Sequence, residues 1–335
     1  MRRGAVTLIL CLAFLGATFL WRLRAELHTP YLQAAAEEVF VDIPKGATSS
    51  DIAELLAARG VLRRKVPFLL YTRWSGAAQQ LQAGEYRFTE AAAPVEIVSR
   101  LARGDIYFLS VTIPEGMTAR ETAGRVVRQG LGDANGMEDA LRRVEWIRDL
   151  DPAAQTLEGY LFPDTYRFPR TTASAQVVLA MVRQFHSRID RLLRETPPPP
   201  GRTIRDIVIL ASIVEKETQD PAEMGLVASV LANRLKRRIP LACDPTVIYA
   251  LKLAGVYDGN IRKADLSIDS PYNTYTRVGL PPGPIANPGE DALRAALAPP
   301  DTPYLYFVSR NDGTHHFSRD FRSHQEAVER YQKKR

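Results

Sequence analysis

Two carboxylates stand at the end of an apolar run. From residue 207 to 220 the chain reads Ile-Val-Ile-Leu-Ala-Ser-Ile-Val-Glu-Lys-Glu-Thr-Gln-Asp. A helix whose buried face ends in Glu holds an acid partly out of water. Partial burial disfavours the carboxylate and raises its pKa, as a general acid near neutral pH requires. At roughly 100° per residue, Ile207, Leu210, Ala211 and Val214 form one stripe. Glu217 follows Val214 by three and extends that stripe, Glu215 falls toward the flank, and Lys216 points nearly opposite. Glu217 is therefore the first candidate acid and Glu215 the second. The plain alternative is the solvated last turn of an amphipathic helix, since charge clusters at helix ends are routine.

Other chemistries lack their signatures. No His-Glu-x-x-His occurs, and His315 and His316 alternate faces on an expected strand, so a zinc peptidase is not indicated. There is no Gly-x-Ser-x-Gly elbow, and Cys243 has no evident partner in sequence. No phosphate-cradling glycine loop appears, and neither a metal nor a cofactor is expected. What remains is carboxylate chemistry beside loops rich in Tyr and Asn, which suits a glycosidase-like reaction.

Several blocks carry the remaining candidates. Upstream is Leu157-Glu158-Gly159-Tyr160-Leu161-Phe162-Pro163-Asp164-Thr165-Tyr166. Downstream come Asp244-Pro245-Thr246-Val247-Ile248-Tyr249, then Ser270-Pro271-Tyr272-Asn273-Thr274-Tyr275. Gly279-Leu280-Pro281-Pro282-Gly283-Pro284-Ile285 and Thr302-Pro303-Tyr304-Leu305-Tyr306-Phe307-Val308 follow. Glu158 and Asp164 read as a second acid or as structural anchors, and Asp244 before Pro245 as a cap or a substrate contact. Tyr272, Asn273, Thr274 and Tyr275 offer hydrogen bonds and a stacking face to a sugar. Pro281, Pro282 and Gly283 shape a loop.

Together, in this order, these segments resemble the MltG-type (YceG-like) endolytic murein transglycosylases, over nearly the whole chain. The resemblance implies cleavage between N-acetylmuramic acid and N-acetylglucosamine in glycan strands, trimming or terminating nascent strands. It implies that one Glu suffices. Glu217 would protonate the bridging oxygen, assisted by the sugar's acetamido group, and then take the proton from the muramyl C6 hydroxyl. The product would carry a 1,6-anhydro end. Glu158, Asp244, Tyr272, Asn273, Thr274 and Tyr275 are the expected substrate-binding set. A hydrolytic muramidase and a non-enzymatic wall-binding scaffold are the rival readings.

The elements that must position these residues are legible in part. The expected fold is α+β: an N-terminal transmembrane helix, a small LysM-like α+β module, then a larger α+β catalytic domain. The boundaries read as 1–4 cytoplasmic, 5–21 anchor, 22–38 a polar Ala-rich stalk, 39–108 the module and 109–335 the YceG-like catalytic domain. The segment 41–51 parallels 111–121, each reading as strand, Pro-x-Gly turn and helix; the second occurrence opens the next domain, while the first, beside the strand–helix unit at 83–102, suggests a small α+β module. Thr48 with Asp51, Thr118 with Glu121, and Thr203 with Asp206 have capping-box spacing. A strand is expected at 83–88 before a helix at 94–102, and a long helix at 175–193. Four prolines at 197–200 form a semi-rigid connector. Residues 265–289 should be irregular loop. A hairpin is expected around Asn311-Asp312-Gly313, and Ser323 with Glu326 should cap a last helix.

The 335 residues make two domains the prior expectation. Residues 5–21 are almost all apolar, just long enough to cross a bilayer core, with Arg2 and Arg3 before and Arg22 and Arg24 after. No small-x-small cleavage site follows closely, so an uncleaved anchor is favoured over a signal peptide. The expected placement is single-pass in the inner membrane, with the N-terminus cytoplasmic and the catalytic region periplasmic. The formal charge is +6, but the basic residues are dispersed and no nucleic-acid motif appears. Expected partners are peptidoglycan strands and the inner membrane, with a peptidoglycan synthase as a further candidate. Cys11 and Cys243, the two cysteines, are not expected to pair.

Overall fold

Thr48, Thr118 and Thr203 each open a helix as their spacing predicts. Each hydroxyl accepts from the backbone N–H three residues on, and the acid there returns a bond to the threonine's own N–H. Such reciprocal caps satisfy two otherwise orphaned donors, and an N-cap side chain contributes about 1 kcal/mol. The protein is seen in a computed structural model that describes residues 2–33 and 38–333. The side chains of residues 2–6, 8 and 9 lie outside that description. The fold is mixed α and β, and it divides into two units, Met1–Leu109 and Ser110–Arg335.

The first unit contains helix α1 (Arg2–His28), strand β1 (Val39–Ile43), helices α2 (Ser49–Ala58) and α3 (Lys65–Trp74), strand β2 (Gly84–Phe88) and helix α4 (Pro94–Arg103). β1 and β2 pair antiparallel, with Val41 opposite Tyr86 and Ile43 opposite Gly84. Their inward side chains meet Ile52 and Leu56 of α2, Phe68 of α3, and Ile97 and Leu101 of α4 in one apolar core. Proline in the first turn of α4 and left-handed Gly104 after its end punctuate that helix. α3 had no counterpart in the sequence reading.

Part of the expected stalk, 22–38, packs on the first unit. α1 runs on to His28, the Tyr31 N–H donates to the Ala92 carbonyl, and Leu32 joins the apolar core. Residues 34–37, also expected in the stalk, lie outside the described residues. Among the described residues no helix is long and apolar enough to cross a membrane. The opening of the expected 5–21 span falls partly on the undescribed side chains.

The second unit holds strand β3 (Leu109–Thr112), helices α5 (Ala119–Arg128) and α6 (Ala134–Leu141), strand β4 (Thr165–Phe168) and helices α7 (Ser174–Glu195), α8 (Ile204–Glu217), α9 (Pro221–Lys236), α10 (Asp244–Leu253) and α11 (Glu290–Leu297). Strands β5 (Tyr306–Ser309) and β6 (His315–Ser318) and helix α12 (Phe321–Val328) follow. β3 pairs with β4, and β5 with β6. The two similar segments at 41–51 and 111–121 fall in different units, and their strands take different partners. The β5–β6 hairpin turns through left-handed Asn311 and Gly313. The last helix is capped by Asp320, which accepts from the Ser323 N–H, rather than by Ser323 itself.

α8 is the axis of this unit. Every residue from Ile207 to Glu215 is buried, and α9, α10 and α11 pack around it. Among the described residues the sheets are two-stranded, and the core of this unit is helix on helix. The single-stripe expectation fails for this reason: a helix enclosed by three others has no long solvent face.

Candidate active site

α8 stops at Glu217 because Thr218 turns extended, and Asp220 and Pro221 then start α9. The Glu217 carboxyl lands beside the opening of α10. There the Cys243 thiol faces it, and Asp244 and Arg234 lie close enough to act through their charges. Burial is the largest effect and pushes the Glu217 carboxyl up to about 7; Asp244 adds to the rise, while the thiol and Arg234 oppose it. Cys243, without an evident partner in sequence, thus has one in space. Burial and the facing Glu217 hold its thiol well above the ordinary range.

The surroundings of this carboxyl are fixed by backbone. Ala242 adopts a left-handed φ of 50°, which directs the chain into α10. Its N–H donates to the Thr274 carbonyl at 3.0 Å, and the Cys243 N–H to Thr274 Oγ1 at 3.0 Å. Arg234 is tied down by the carbonyls of Leu305 at 2.7 Å and Leu241 at 2.6 Å. Tyr275 is half-buried and donates its hydroxyl to Asp244 Oδ1 at 2.5 Å. Glu217, Asp244 and Tyr275 are therefore brought together. All three were singled out in sequence.

Asn273 and Thr274 belong to the same loop but face inward. Asn273 is fully buried, donates Nδ2 to the carbonyls of Leu266 and Ile268, and accepts from the Tyr275 N–H. Thr274 is buried with its hydroxyl bonded to Thr246 Oγ1 at 2.8 Å. Their side-chain polar atoms hydrogen-bond within the fold and shape the loop. A lone sequence shows which residues have polar groups, but not where those groups are already satisfied.

Glu215 is more enclosed than Glu217, with only 7% of it exposed. Burial lifts it to about 7 as well. Its Oε2 accepts the Gly289 N–H at 3.0 Å, where α11 begins, while Lys216 reaches the Gly116 carbonyl at 3.1 Å. Helical phase thus does not separate the two acids by burial. Their partners do: Glu215 holds a helix start, and Glu217 faces a thiol and a tyrosine-bound aspartate.

Glu158 and Tyr272 lie in a different place. They line a cavity of about 430 Å³ together with Asp151, Tyr160, Arg205 and Tyr249. Glu158 is buried, accepts from the Ala119 N–H at 2.9 Å and from the Tyr249 hydroxyl at 3.2 Å, and is pushed up by burial to about 8. The rings of Tyr249 and Tyr272 sit 4.9 Å apart. Asp151 accepts from Tyr160 at 2.8 Å and from Arg205, which also donates to the Pro282 carbonyl. The Asp151–Arg205 pair joins positions 54 apart, and no local pattern points to it. Asp164, the alternative second acid, accepts from Gln184 at 2.8 Å.

Two close approaches join the sequence blocks. Gly159 has φ +88°, and a Cβ there would fall 2.5 Å from Pro284. Asn287, fully buried, accepts from the N–H groups of Gly159 and Leu161 at 2.9 and 3.0 Å and donates to the Met117 carbonyl. The Glu-Gly-Tyr block and the Pro-rich loop are therefore one structural assembly.

The YceG-like family profile matches residues 41–330. The chain belongs to the YceG-like family. It is 32% identical over 333 residues to an endolytic murein transglycosylase of Bacillus subtilis (strain 168), covering 95% of this chain and 91% of that one. It is 28% identical to an endolytic murein transglycosylase of Streptococcus pneumoniae (strain ATCC BAA-255 / R6), over 81% of this chain and 54% of that longer one. Among solved structures, a YceG-like protein from Listeria monocytogenes aligns with a TM-score of 0.57 at 30% identity, over 87% of this chain and 98% of that one. The YceG-like match includes every candidate residue described above.

Proposed function

We propose that this chain is an endolytic murein transglycosylase, cleaving the bond between N-acetylmuramic acid and N-acetylglucosamine in peptidoglycan and leaving 1,6-anhydro ends. Family membership supports the substrate and reaction class. The observation that carries the mechanism is a half-buried carboxyl, Glu217, held near 7 at the junction of α8 and α10. A group with that pKa is both protonated and ionised in useful amounts at neutral pH, as one residue acting first as acid and then as base requires.

The protonated Glu217 gives its proton to the bridging oxygen as the oxocarbenium-like centre develops. The sugar's acetamido oxygen attacks that centre from within the substrate. The ionised Glu217 then removes the C6 hydroxyl proton, and O6 closes on the anomeric carbon, so no water is consumed. Asp244 and Tyr275 bind and orient the sugar beside Glu217, and Asn273 and Thr274 hold their loop. Glu158 and Tyr272 serve the neighbouring cavity. One observation favours a hydrolytic alternative: Asp244 is a second carboxylate close to Glu217. Mass analysis of products from purified peptidoglycan separates the readings. Anhydromuramyl ends support the proposal, reducing ends the muramidase, and binding without cleavage a scaffold.

The same reading takes α1 as a single-pass anchor in the inner membrane, with the N-terminus cytoplasmic and the catalytic region periplasmic. Its support is the apolar run at 5–21 and the exposure of Leu10, Leu12, Phe14, Leu15, Phe19 and Leu20 along the helix. The module at 39–108 is taken as LysM-like and glycan-binding, and a peptidoglycan synthase as the partner that supplies strands. Membrane fractionation that found a shortened, soluble chain would overturn the anchor.

A further inference from the structure

Helix α3 carries an apolar stripe that faces away from its own core. Pro67, Phe68 and Thr72 are buried against the first unit. On the other side Val66, Leu70 and Trp74 are 61%, 40% and 85% exposed. These positions are spaced by four, so they lie along one face. A tryptophan exposed to this degree beside two aliphatic residues is not what a water-facing helix needs.

The stripe has a definite neighbour. Leu70 and Trp74 line a groove of about 540 Å³ with Phe19, Leu20, Leu23 and Leu27 of α1. Phe19 and Leu20 belong to the apolar run read as the anchor, close to its end at Trp21. Whatever depth the end of that run has in a bilayer, the tip of α3 shares it. Arg24 of α1 also lines the groove, and Arg22, Arg63 and Arg73, close in sequence to the groove residues, are exposed as it is. The nearby carboxylates are engaged, Glu26 with Arg64 at 2.9 Å and Glu54 with Lys65 at 3.0 Å.

We propose that α3 is a second membrane-contacting element, lying in the bilayer interface with Val66, Leu70 and Trp74 among the upper acyl chains and its arginines against anionic lipid phosphates. Tryptophan and aliphatic side chains partition to that depth, and basic residues beside them are drawn to anionic headgroups. The inference rests on the reading of α1 as an anchor. Its consequence is that the first unit is held flat on the membrane rather than swinging on a tether.

The test uses the full chain in vesicles of phosphatidylethanolamine and phosphatidylglycerol. The substitutions W21F and W146F leave Trp74 as the sole tryptophan. With lipids brominated near the headgroup, Trp74 emission should fall by about twofold and lie to the blue, as expected for an interfacial indole. A chain carrying W21F and W74F, with Trp146 alone, should be unaffected by the brominated lipid. Chain that floats with vesicles while Trp74 emits as in water overturns the proposal and leaves the anchor standing. Trp74 that is blue-shifted but not quenched also overturns it, in favour of a second copy or another protein on the stripe. Chain that does not float overturns both readings.

Discussion

Glu217 and Glu158 are both carboxyls pushed toward neutrality by burial, to about 7 and about 8, yet they sit in opposite kinds of surroundings. Glu158 spends its oxygens on the first turn of α5, through the Ala119 N–H, and on the Tyr249 hydroxyl. Glu217 has a thiol, a weak donor, and otherwise faces charged groups from α9 and α10. A raised pKa alone therefore does not mark a catalytic acid. A carboxyl that holds a buried donor on each oxygen fastens the fold, and one with fewer strong donors has more capacity to exchange a proton with substrate.

The strongest way to break that contrast is Glu217→Gln, which keeps size and hydrogen bonding but removes the transferable proton. Turnover on murein should fall about 100- to 10,000-fold with the unfolding midpoint little changed. Glu215→Gln should keep more activity, and any loss should track weakened folding, because its role is at the start of α11. Near-native turnover of Glu217→Gln beside a dead Glu215→Gln would reverse the assignment.

Glu158→Ala should do the converse. It orphans the Ala119 N–H and the Tyr249 hydroxyl, and should cost about 1–3 kcal/mol in denaturant unfolding. A chain of unchanged stability would show that Glu158 is no fastener. Gly159→Ala tests the same assembly through its backbone. With φ at +88° and Pro284 in the way, the loss should be about 1–3 kcal/mol.

Acidity sharpens the comparison. Glu158, Glu215 and Glu217 all have folded-state pKa values above the ordinary 4.5. Between pH 4.5 and about 8 the native state binds more protons than the unfolded chain, so stability should decline as pH climbs through that window. Denaturant midpoints at pH 5 and pH 8 measure it, and Glu158→Gln should flatten the slope. Turnover should also decline above pH 7 as Glu217 loses its proton; a rate still rising at pH 9 would exclude Glu217 as the acid. The smallest effect is expected from Cys243→Ala. Losing the thiol donor should raise the Glu217 pKa and move that descending limb upward by less than about one pH unit. An unmoved limb would mean the thiol does not tune the acid.

The sequence by itself determined the local features. Capping boxes at Thr48, Thr118 and Thr203, the Asn311–Gly313 hairpin, and the helix ending in Glu-Lys-Glu are written in spacings of a few residues, where each residue's preference acts on its neighbours. The order of the blocks was enough for the family. Tertiary structure alone decided burial and partnership. α8 is buried along almost its whole length because three other helices enclose it, so the apolar stripe does not govern the exposure of Glu217 and Glu215. Asn273 and Thr274 turn inward because carbonyls and hydroxyls elsewhere in the fold satisfy them. Cys243 meets Glu217 and Arg205 meets Asp151 across gaps that no periodicity encodes. A carboxyl's pKa and its unused hydrogen-bonding capacity depend on solvent exclusion by distant segments, and that exclusion exists only after the chain has folded.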